Sequence, residues 1–306
     1  MKPTSRLPIC LLAILCWQFI SPASTPGGEL EDEIAAIMKR PLFKGSSFGI
    51  LVTEMASGRV IYSHRPLALQ APASTTKLVS CAGALGIMGK DFRFRTNVVR
   101  TGEITDGVVN GDLVLIASGD PNLSQRPDGE DHLRFVDRDH SYAGFSEAKL
   151  VPGDPLQTLR KLARDIALGG IVEIKGDVVV DDGLFKETED SFIGSFSAIC
   201  INDNLVDFTI RPGKEIGDKV VASWRPDIDP VQVRVQARTV AKNGARRLWV
   251  ESEKGIASFI VKGTLPVGSA PTVRVGKFRN PGLAAAHLFA SLLKTEGVQI
   301  KGEAQQ

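Results

Sequence analysis

Apolar residues recur at helical spacing in three separate segments of the chain. The segment Glu29–Met38 predicts an amphipathic helix. A second helix is predicted after Asp154-Pro155, with Asp at the N-cap and Pro at the first helical position, and Gly169-Gly170 ends it. A third runs from Asn280, its cap, to about Glu296.

Strand patterns occupy much of the remaining sequence. Residues 47–52 and 59–63 predict a hairpin joined by a turn at 56–58. Further strands are predicted at 96–100, 111–118, 171–180, 205–210, 231–238, 247–250, 256–261, 272–275 and 298–301. A further apolar helix is predicted to begin at Ser74 and to run through Ile87. The order therefore changes near residue 92 from helix, hairpin and helix to a strand-rich pattern, which predicts an α+β fold with more than one domain.

The N-terminal residues 1–23 have the pattern of a secretory signal peptide. Lys2 and Arg6 precede the apolar stretch 7–20, and Ser21-Pro22-Ala23 is a small-residue cleavage site. The apolar stretch is short for a bilayer span, although a short membrane anchor is the alternative interpretation. No other run is long enough to span, so we expect no stable membrane span and a periplasmic or otherwise extracytoplasmic location.

Charge and cysteine content narrow the classes of function. The net charge of +2 falls to about zero once Lys2 and Arg6 are removed, and no basic cluster with interleaved aromatics predicts nucleic-acid binding. Cys81 and Cys200 would remain after cleavage. We interpret both as free core cysteines, with pairing left open.

The polar segment 124–147 is interpreted as a surface loop or insertion. His132 and His140 lie in it without a matching cluster of cysteines or histidines. We therefore expect no metal there.

A serine followed three residues later by a lysine occurs three times, as Ser74–Lys77, Ser146–Lys149 and Ser291–Lys294. On a helix this spacing places both side chains about one turn apart on one face. A lysine amine held neutral can take the proton of such a serine, which then acts as a nucleophile without a histidine. Ser-x-x-Lys is the nucleophile motif of serine β-lactamases and penicillin-binding proteins.

The surroundings favour Ser74 among the three serines. Ser74 follows Pro72-Ala73 and begins a strongly apolar helix, where the first backbone N–H groups lack intrahelical acceptors. Ser291 lies inside the third predicted helix, and Ser146 lies in a polar stretch too short for a firm helix. The alternative is that Ser74 is only the N-cap serine of a core helix.

Several segments together resemble the three-domain, low-molecular-mass (class C) penicillin-binding proteins, which are D-alanyl-D-alanine carboxypeptidases and endopeptidases. The matching segments are 62–78, 85–86, 111–115, 118–123, 170–171, 174–177, 181–185, 202–204, 211–213 and 280–281. The resemblance implies a β-lactamase/transpeptidase-like catalytic domain, here partial, with nested β-rich inserted domains. Residues 24–91 would begin that domain, 92–276 would be the insertion, and 277–306 would start the return.

The resemblance also implies a chemistry. Ser74 would be the nucleophile and Lys77 the base, kept neutral by burial near other cations, with peptidoglycan stem peptides ending in D-Ala-D-Ala as substrates, β-lactams as inhibitors and no cofactor. The family's Ser-x-Asn and Lys-Thr-Gly motifs are absent; Lys294-Thr295-Glu296-Gly297 lies at a helix end and does not replace the second. We therefore expect an incomplete enzyme chain. The alternatives are a non-catalytic cell-wall-binding paralogue and a serine β-lactamase, which the long insertion disfavours.

Overall fold

The structure of the chain is a computed structural model that describes residues 28–124, 126, 132–144, 147–186, 188–190 and 194–306. The predicted signal peptide, 1–23, and Ser146 lie outside these residues. The chain divides into two compact units, Met1–Asp91 and Phe92–Gln306. No helix in the described part of the chain combines the length and apolar character needed to cross a membrane.

The first unit contains two helices and a hairpin. Its elements are α1 (Glu29–Met38), β1 (Ile50–Thr53), β2 (Val60–His64) and α2 (Thr76–Met88), the last preceded by a 3-10 turn at Ala73–Thr75. Strands β1 and β2 pair antiparallel. The predicted bounds of α1 and the predicted hairpin are confirmed.

The first unit has almost no core. Among its described residues only Tyr62 is buried. Helix α2 is apolar in sequence, but no residue of it is buried, and Ile87 is 88% exposed. The expectation that Cys81 is a core residue is therefore wrong: Cys81 is a free, exposed thiol on α2. An apolar helix becomes a core helix only where other elements cover it. The described hairpin of this unit does not cover α2.

The second unit is rich in strands. In chain order its elements are β3 (Asn97–Arg100), β4 (Ile104–Thr105), β5 (Val108–Val109), β6 (Leu113–Ile116), α3 (Gln157–Leu168), β7 (Glu173–Ile174), β8 (Val178–Asp181), β9 (Thr188–Asp190), β10 (Gly194–Phe196), β11 (Leu205–Arg211), β12 (Val221–Arg225), β13 (Val231–Val235), β14 (Arg238–Val240), β15 (Arg247–Ser252), β16 (Ala257–Pro266), β17 (Thr272–Lys277), α4 (Pro281–Thr295), β18 (Gln299–Ile300) and β19 (Ala304–Gln305). This mixed composition agrees with the predicted α+β class.

Five small sheets organise these strands. Strand β11 lies between β12 and β17, and β16 pairs with β13, β14 and β15. Two four-stranded sheets have the orders β18-β7-β5-β4 and β19-β8-β6-β3, and β9 pairs with β10. The buried core of the unit includes Phe208, Phe259 and Phe289.

The predicted N-cap is present at α4 but not at α3. The Asn280 side chain accepts a hydrogen bond from the Leu283 N–H at 2.8 Å, as predicted for the N-cap of α4. At α3 the predicted N-cap is wrong, because the helix begins at Gln157 with Leu156 as its N-cap; Asp154 lies three residues before Gln157, and its side chain accepts from the Leu156 N–H at 2.9 Å. Residues 277–306 belong to the second unit, where α4 packs on α3 and β8.

The predicted strand 171–180 is wrong as a single element. It divides into β7 and β8, which belong to different sheets, because the chain turns between them at Gly176. The predicted strand 231–238 also divides, into β13 and β14. The backbone N–H groups of Gln236 and Ala237 both donate to the Val261 carbonyl, which interrupts the ladder, but the register is the same on both sides, with Val235 opposite Val261 and Arg238 opposite Thr264.

A repeated pair of a glycine and an acidic residue builds the corner before β6, β8 and β19. We call the pairs Gly111-Asp112, Gly176-Asp177 and Gly302-Glu303 the glycine–acid ladder. The Asp177 N–H donates to Asp112 Oδ1 at 2.9 Å, and the Glu303 N–H donates to Asp177 Oδ1 at 2.8 Å. The Gly176 N–H donates to the Gly111 carbonyl at 2.9 Å, and the Gly302 N–H to the Gly176 carbonyl at 3.1 Å.

Replacing Gly176 with alanine is expected to destabilise the second unit. An added Cβ would lie 2.2 Å from Asp112 Oδ1 and 2.7 Å from the Gly111 carbonyl carbon, so backbone must move. Overpacking of this kind costs about 1–3 kcal/mol. Urea unfolding followed by circular dichroism would measure the loss. Gly144→Ala is the control, because nothing lies within 4 Å of its added Cβ; equal midpoints for the two variants would contradict the steric argument.

Candidate functional site

Ser74 and Lys77 lie at the entry to α2. Ser74 belongs to the 3-10 turn Ala73–Thr75, and Lys77 is in the first turn of the α-helix. The Lys77 Nζ donates to Ser74 Oγ at 3.1 Å. The predicted contact between the two side chains at the start of a helix is therefore confirmed.

The backbone before Ser74 adopts an uncommon conformation. Ala73 has a φ of 43°, in the left-handed region that residues with a Cβ seldom occupy. Thr75 holds the turn, since its N–H donates to the Pro72 carbonyl at 3.0 Å and its hydroxyl donates to the same oxygen. Such outliers concentrate at sites where a side chain must be aimed. The turn presents Ser74 toward Lys77.

The site is open in this structure. Ser74 and Lys77 are both exposed. A groove of about 640 Å³ lies between α1 and β2, but neither Ser74 nor Lys77 lines it. The expected burial of Lys77 near other cations is therefore wrong for the described residues.

The other two Ser-x-x-Lys pairs do not form comparable sites. Ser291 lies inside α4, where its carbonyl accepts from the Thr295 hydroxyl at 2.9 Å. Lys149 is exposed and precedes no helix, and its partner Ser146 lies outside the described residues.

His140 is the residue that the sequence interpretation missed. It was expected on a surface loop, but it is 1% exposed. Its Nδ1 lies 2.6 Å from Asp207 Oδ1, and its Nε2 lies 2.6 Å from Asp203 Oδ2. Burial alone would lower the pKa of His140, but the hydrogen bonds with the two aspartates outweigh it and raise the pKa to about 9. The expectation of an isolated histidine was wrong because its partners lie more than 60 residues away in sequence.

Asp207 joins this histidine to an arginine. It occupies a fully buried position of β11, and the Arg225 Nε donates to its Oδ2 at 2.7 Å. Burial alone would raise the pKa of Asp207, yet His140 and Arg225 hold it below its usual range. An aspartate flanked by Leu205, Val206 and Phe208 in β11 was the available sequence signal, because a buried carboxylate requires cationic partners.

The two cysteines of the described chain are expected to differ in reactivity. Burial, with the charge of Asp203, raises the pKa of Cys200 to about 12, whereas Cys81 is exposed. Brief iodoacetamide treatment of native protein should alkylate Cys81 and spare Cys200, since the thiolate is the reactive form. Peptide mapping by mass spectrometry measures both sites, with urea-unfolded protein as the control. Equal native labelling of both cysteines would refute the expectation.

Two D-alanyl-D-alanine carboxypeptidases are similar in sequence to most of this chain. The D-alanyl-D-alanine carboxypeptidase of Actinomadura sp. (strain R39) is 26% identical over 298 residues, covering 90% of this chain and 48% of that protein. The D-alanyl-D-alanine carboxypeptidase DacB of Haemophilus influenzae is 23% identical over 282 residues, covering 87% of this chain and 51% of that protein. The chain thus spans about half the length of these relatives.

Solved structures share the fold. Penicillin binding protein 4 (dacB) from Haemophilus influenzae superposes with a TM-score of 0.63 at 21% identity, covering 83% of this chain and 52% of that one. The same protein complexed with a novel beta-lactam gives a TM-score of 0.62 at 21% identity, over 84% and 51% of the two chains.

A family match extends over nearly the whole described chain. The D-Ala-D-Ala carboxypeptidase 3 (S13) family matches residues 30–306, a span that includes the Ser74–Lys77 pair and both compact units. The chain belongs to the D-Ala-D-Ala carboxypeptidase 3 (S13) family.

Proposed function

We propose that this chain carries the nucleophile of a serine-type D-alanyl-D-alanine carboxypeptidase that acts on peptidoglycan stem peptides outside the cytoplasm. The observation that carries the proposal is the 3.1 Å contact of the Lys77 amine with the Ser74 hydroxyl at a helix start, in a chain of this family. We further propose that residues 24–91 begin the transpeptidase-like domain, that 92–276 are its insertion and that 277–306 begin the return.

The proposed reaction proceeds through an acyl-enzyme. Lys77 takes the Ser74 proton as Ser74 Oγ attacks the carbonyl carbon between two D-alanines. The Ser74 backbone N–H donates to the oxyanion of the tetrahedral intermediate. The terminal D-alanine leaves with a proton, and water then hydrolyses the ester and restores the Ser74 hydroxyl. β-Lactams would acylate the same oxygen.

The chain contains no Ser-x-Asn and no Lys-Thr-Gly, which resemblance to penicillin-binding proteins assigns to proton relay and carboxylate binding. Ser74, Lys77 and α2 are exposed, so the described residues do not enclose the pair.

Release of D-alanine tests the proposal. A longer chain that continues through segments with Ser-x-Asn and Lys-Thr-Gly should release D-alanine from a synthetic peptide ending in D-Ala-D-Ala, and its Lys77→Met variant should lose most of that activity. Ser291→Ala is the matched control, because Ser291 belongs to the same motif pattern but lies in α4. Activity in the Lys77→Met variant equal to that of the parent would refute Lys77 as the base.

A non-catalytic cell-wall-binding protein is the second candidate, favoured by the open geometry of the Ser74–Lys77 pair. In that case the 306-residue chain should co-sediment with purified peptidoglycan, and Ser74→Ala should sediment equally. No D-alanine release by any longer chain, together with such sedimentation, would favour this candidate over the enzyme.

A further inference from the structure

Residues 205–277, which run from β11 to β17, form a strongly basic part of the chain. They contain 13 lysines and arginines and seven aspartates and glutamates, a net charge of +6, whereas the net charge of the whole chain is +2. The other residues therefore carry a net charge of −4. A charge separated in this way attracts anionic molecules to the basic part.

Several of these cations lie on one face of the sheet that β13, β14, β15 and β16 form. Side chains directly opposite each other on neighbouring strands share a face. Arg238 of β14 and Arg247 of β15 both lie opposite Thr264 of β16, and Trp249 lies opposite Lys262. All five are at least partly exposed, whereas alternate residues of the same strands pack in the core. We call these five residues the outer sheet face.

Trp249 is held in a fixed position on the outer sheet face. Its Nε1 donates to Glu251 Oε1 at 2.7 Å, and the Lys262 Nζ donates to Glu251 Oε2 at 2.6 Å. Gly263 allows the indole to approach β16 closely, since a Cβ added there would lie 2.9 Å from Trp249 Cζ3. Trp249 is nevertheless 44% exposed. A ring that is already held in place loses little conformational freedom when a ligand stacks on it.

The arginines near Trp249 have donors to offer an anion. Arg247 lies two residues before Trp249 on the same face of β15. Its guanidinium is exposed and has no hydrogen-bond partner among the residues that the structure describes. Arg238 uses Nη1 to donate to the Gly217 carbonyl at 3.0 Å and is exposed as well. A guanidinium presents paired N–H groups that match the two oxygens of a carboxylate.

We propose that the outer sheet face binds an anionic glycan, with a sugar ring stacked on Trp249 and a carboxylate paired with Arg247. The C–H face of a pyranose is apolar and packs on the negative face of an indole. A glycan whose sugars carry carboxylates engages the indole and the cations together, whereas a neutral glycan engages only the indole. The choice of a glycan over a nucleic acid rests on the proposed function outside the cytoplasm.

Fluorescence anisotropy of end-labelled peptidoglycan glycan strands, stripped of their stem peptides and mixed with the 306-residue chain, tests the proposal. These strands carry lactyl carboxylates and no D-Ala-D-Ala, so the measurement does not involve Ser74. Trp249→Ala should weaken binding about tenfold or more, as truncation of a central interface tryptophan does. Arg247→Gln should weaken binding and reduce its dependence on NaCl. Phe135→Ala, at an aromatic that is 87% exposed, and Lys301→Gln, at an exposed lysine after β18, are the matched controls and should bind as the parent does.

A second variant at position 249 separates stacking from a defect in folding. Trp249→Phe keeps an aromatic ring but loses the hydrogen bond to Glu251, so it should retain more of the affinity than Trp249→Ala does. Strand binding by Trp249→Ala equal to that of the parent would overturn the proposal. Equal losses in the two variants would overturn the stacking role of the ring.

Competition identifies the ligand. Polygalacturonate should displace the labelled strands, and the neutral hexamer of N-acetylglucosamine should not. Displacement by polygalacturonate at a lower concentration than by unlabelled strands would assign the surface to another acidic polysaccharide, and the reverse order would assign it to peptidoglycan. Equal displacement by the neutral hexamer would overturn the proposal, and so would displacement by single-stranded DNA at a lower concentration than by any glycan. Strand binding without D-alanine release by any longer chain would refute the proposed peptidase alone.

Discussion

Ser74→Ala is expected to abolish covalent labelling by penicillin in a chain extended through Ser-x-Asn and Lys-Thr-Gly. The hydroxyl is the atom that forms the ester, so no neighbouring group replaces it. Intact-mass analysis after incubation with penicillin would show the parent heavier by one acyl adduct and the variant unchanged. Undiminished labelling of the variant would exclude Ser74 as nucleophile, and Ser146 and Ser291 would then be the next candidates.

The printed 306-residue chain should itself be labelled slowly. It lacks the family's Lys-Thr-Gly strand, and losing one oxyanion donor typically costs about a hundred- to a thousand-fold in rate. Its α2 also exposes apolar side chains, among them Leu78 and Val79 at 75% each, so we expect concentration-dependent aggregation. Rapid, stoichiometric labelling of this chain would show that Ser74 and Lys77 suffice without those motifs.

Asp207→Ala is expected to destabilise the second unit strongly. The substitution leaves His140, at 1% exposure, and Arg225 without the carboxylate between them. Removing one partner of a buried ion pair costs about 3–5 kcal/mol, because the other charge stays buried and uncompensated. Urea unfolding followed by near-UV circular dichroism measures the loss.

An exposed ion pair provides the control for this measurement. Arg234 and Glu253 pair on the surface, with the Arg234 Nε donating to Glu253 Oε2 at 3.0 Å. Exposed pairs contribute little, so Glu253→Gln should leave the urea midpoint close to that of the parent. A loss for Asp207→Ala no larger than the loss for Glu253→Gln would mean that the buried network does not stabilise the unit.

Elements with local signals were predictable from sequence. Helices α1 and α4 begin and end where their apolar spacing and caps indicated, since those signals lie within a few residues of the element. The Ser74–Lys77 contact was predictable for the same reason, because helical spacing alone brings the two side chains together.

Features that depend on distant partners were not predictable. The division between β7 and β8 follows from the approach of Gly176 to Gly111, which local pattern does not encode. His140 is buried because residues 203 and 207 come to it from another part of the chain. For Cys81 the error is in the other direction. The apolar sequence of α2 predicted that this helix is buried, but the other described elements of the first unit leave it exposed.

The glycine–acid ladder sets an order of events during synthesis of the chain. Its first rung joins residues 65 apart, Asp112 and Asp177, and its second joins residues 126 apart, Asp177 and Glu303. Closing the longer loop, between Asp177 and Glu303, costs only about 0.6 kcal/mol more in chain entropy than closing the shorter one. The order of the two contacts is therefore set by the time at which each segment is synthesised and not by this difference in free energy. At about 5–20 residues per second, β8 waits roughly 6–25 s for β19, with its outer edge free to pair with other strands. While a ribosome is stalled within that interval, the nascent chain exposes the edge of β8 that β19 would cover, and that edge can pair with strands of other chains.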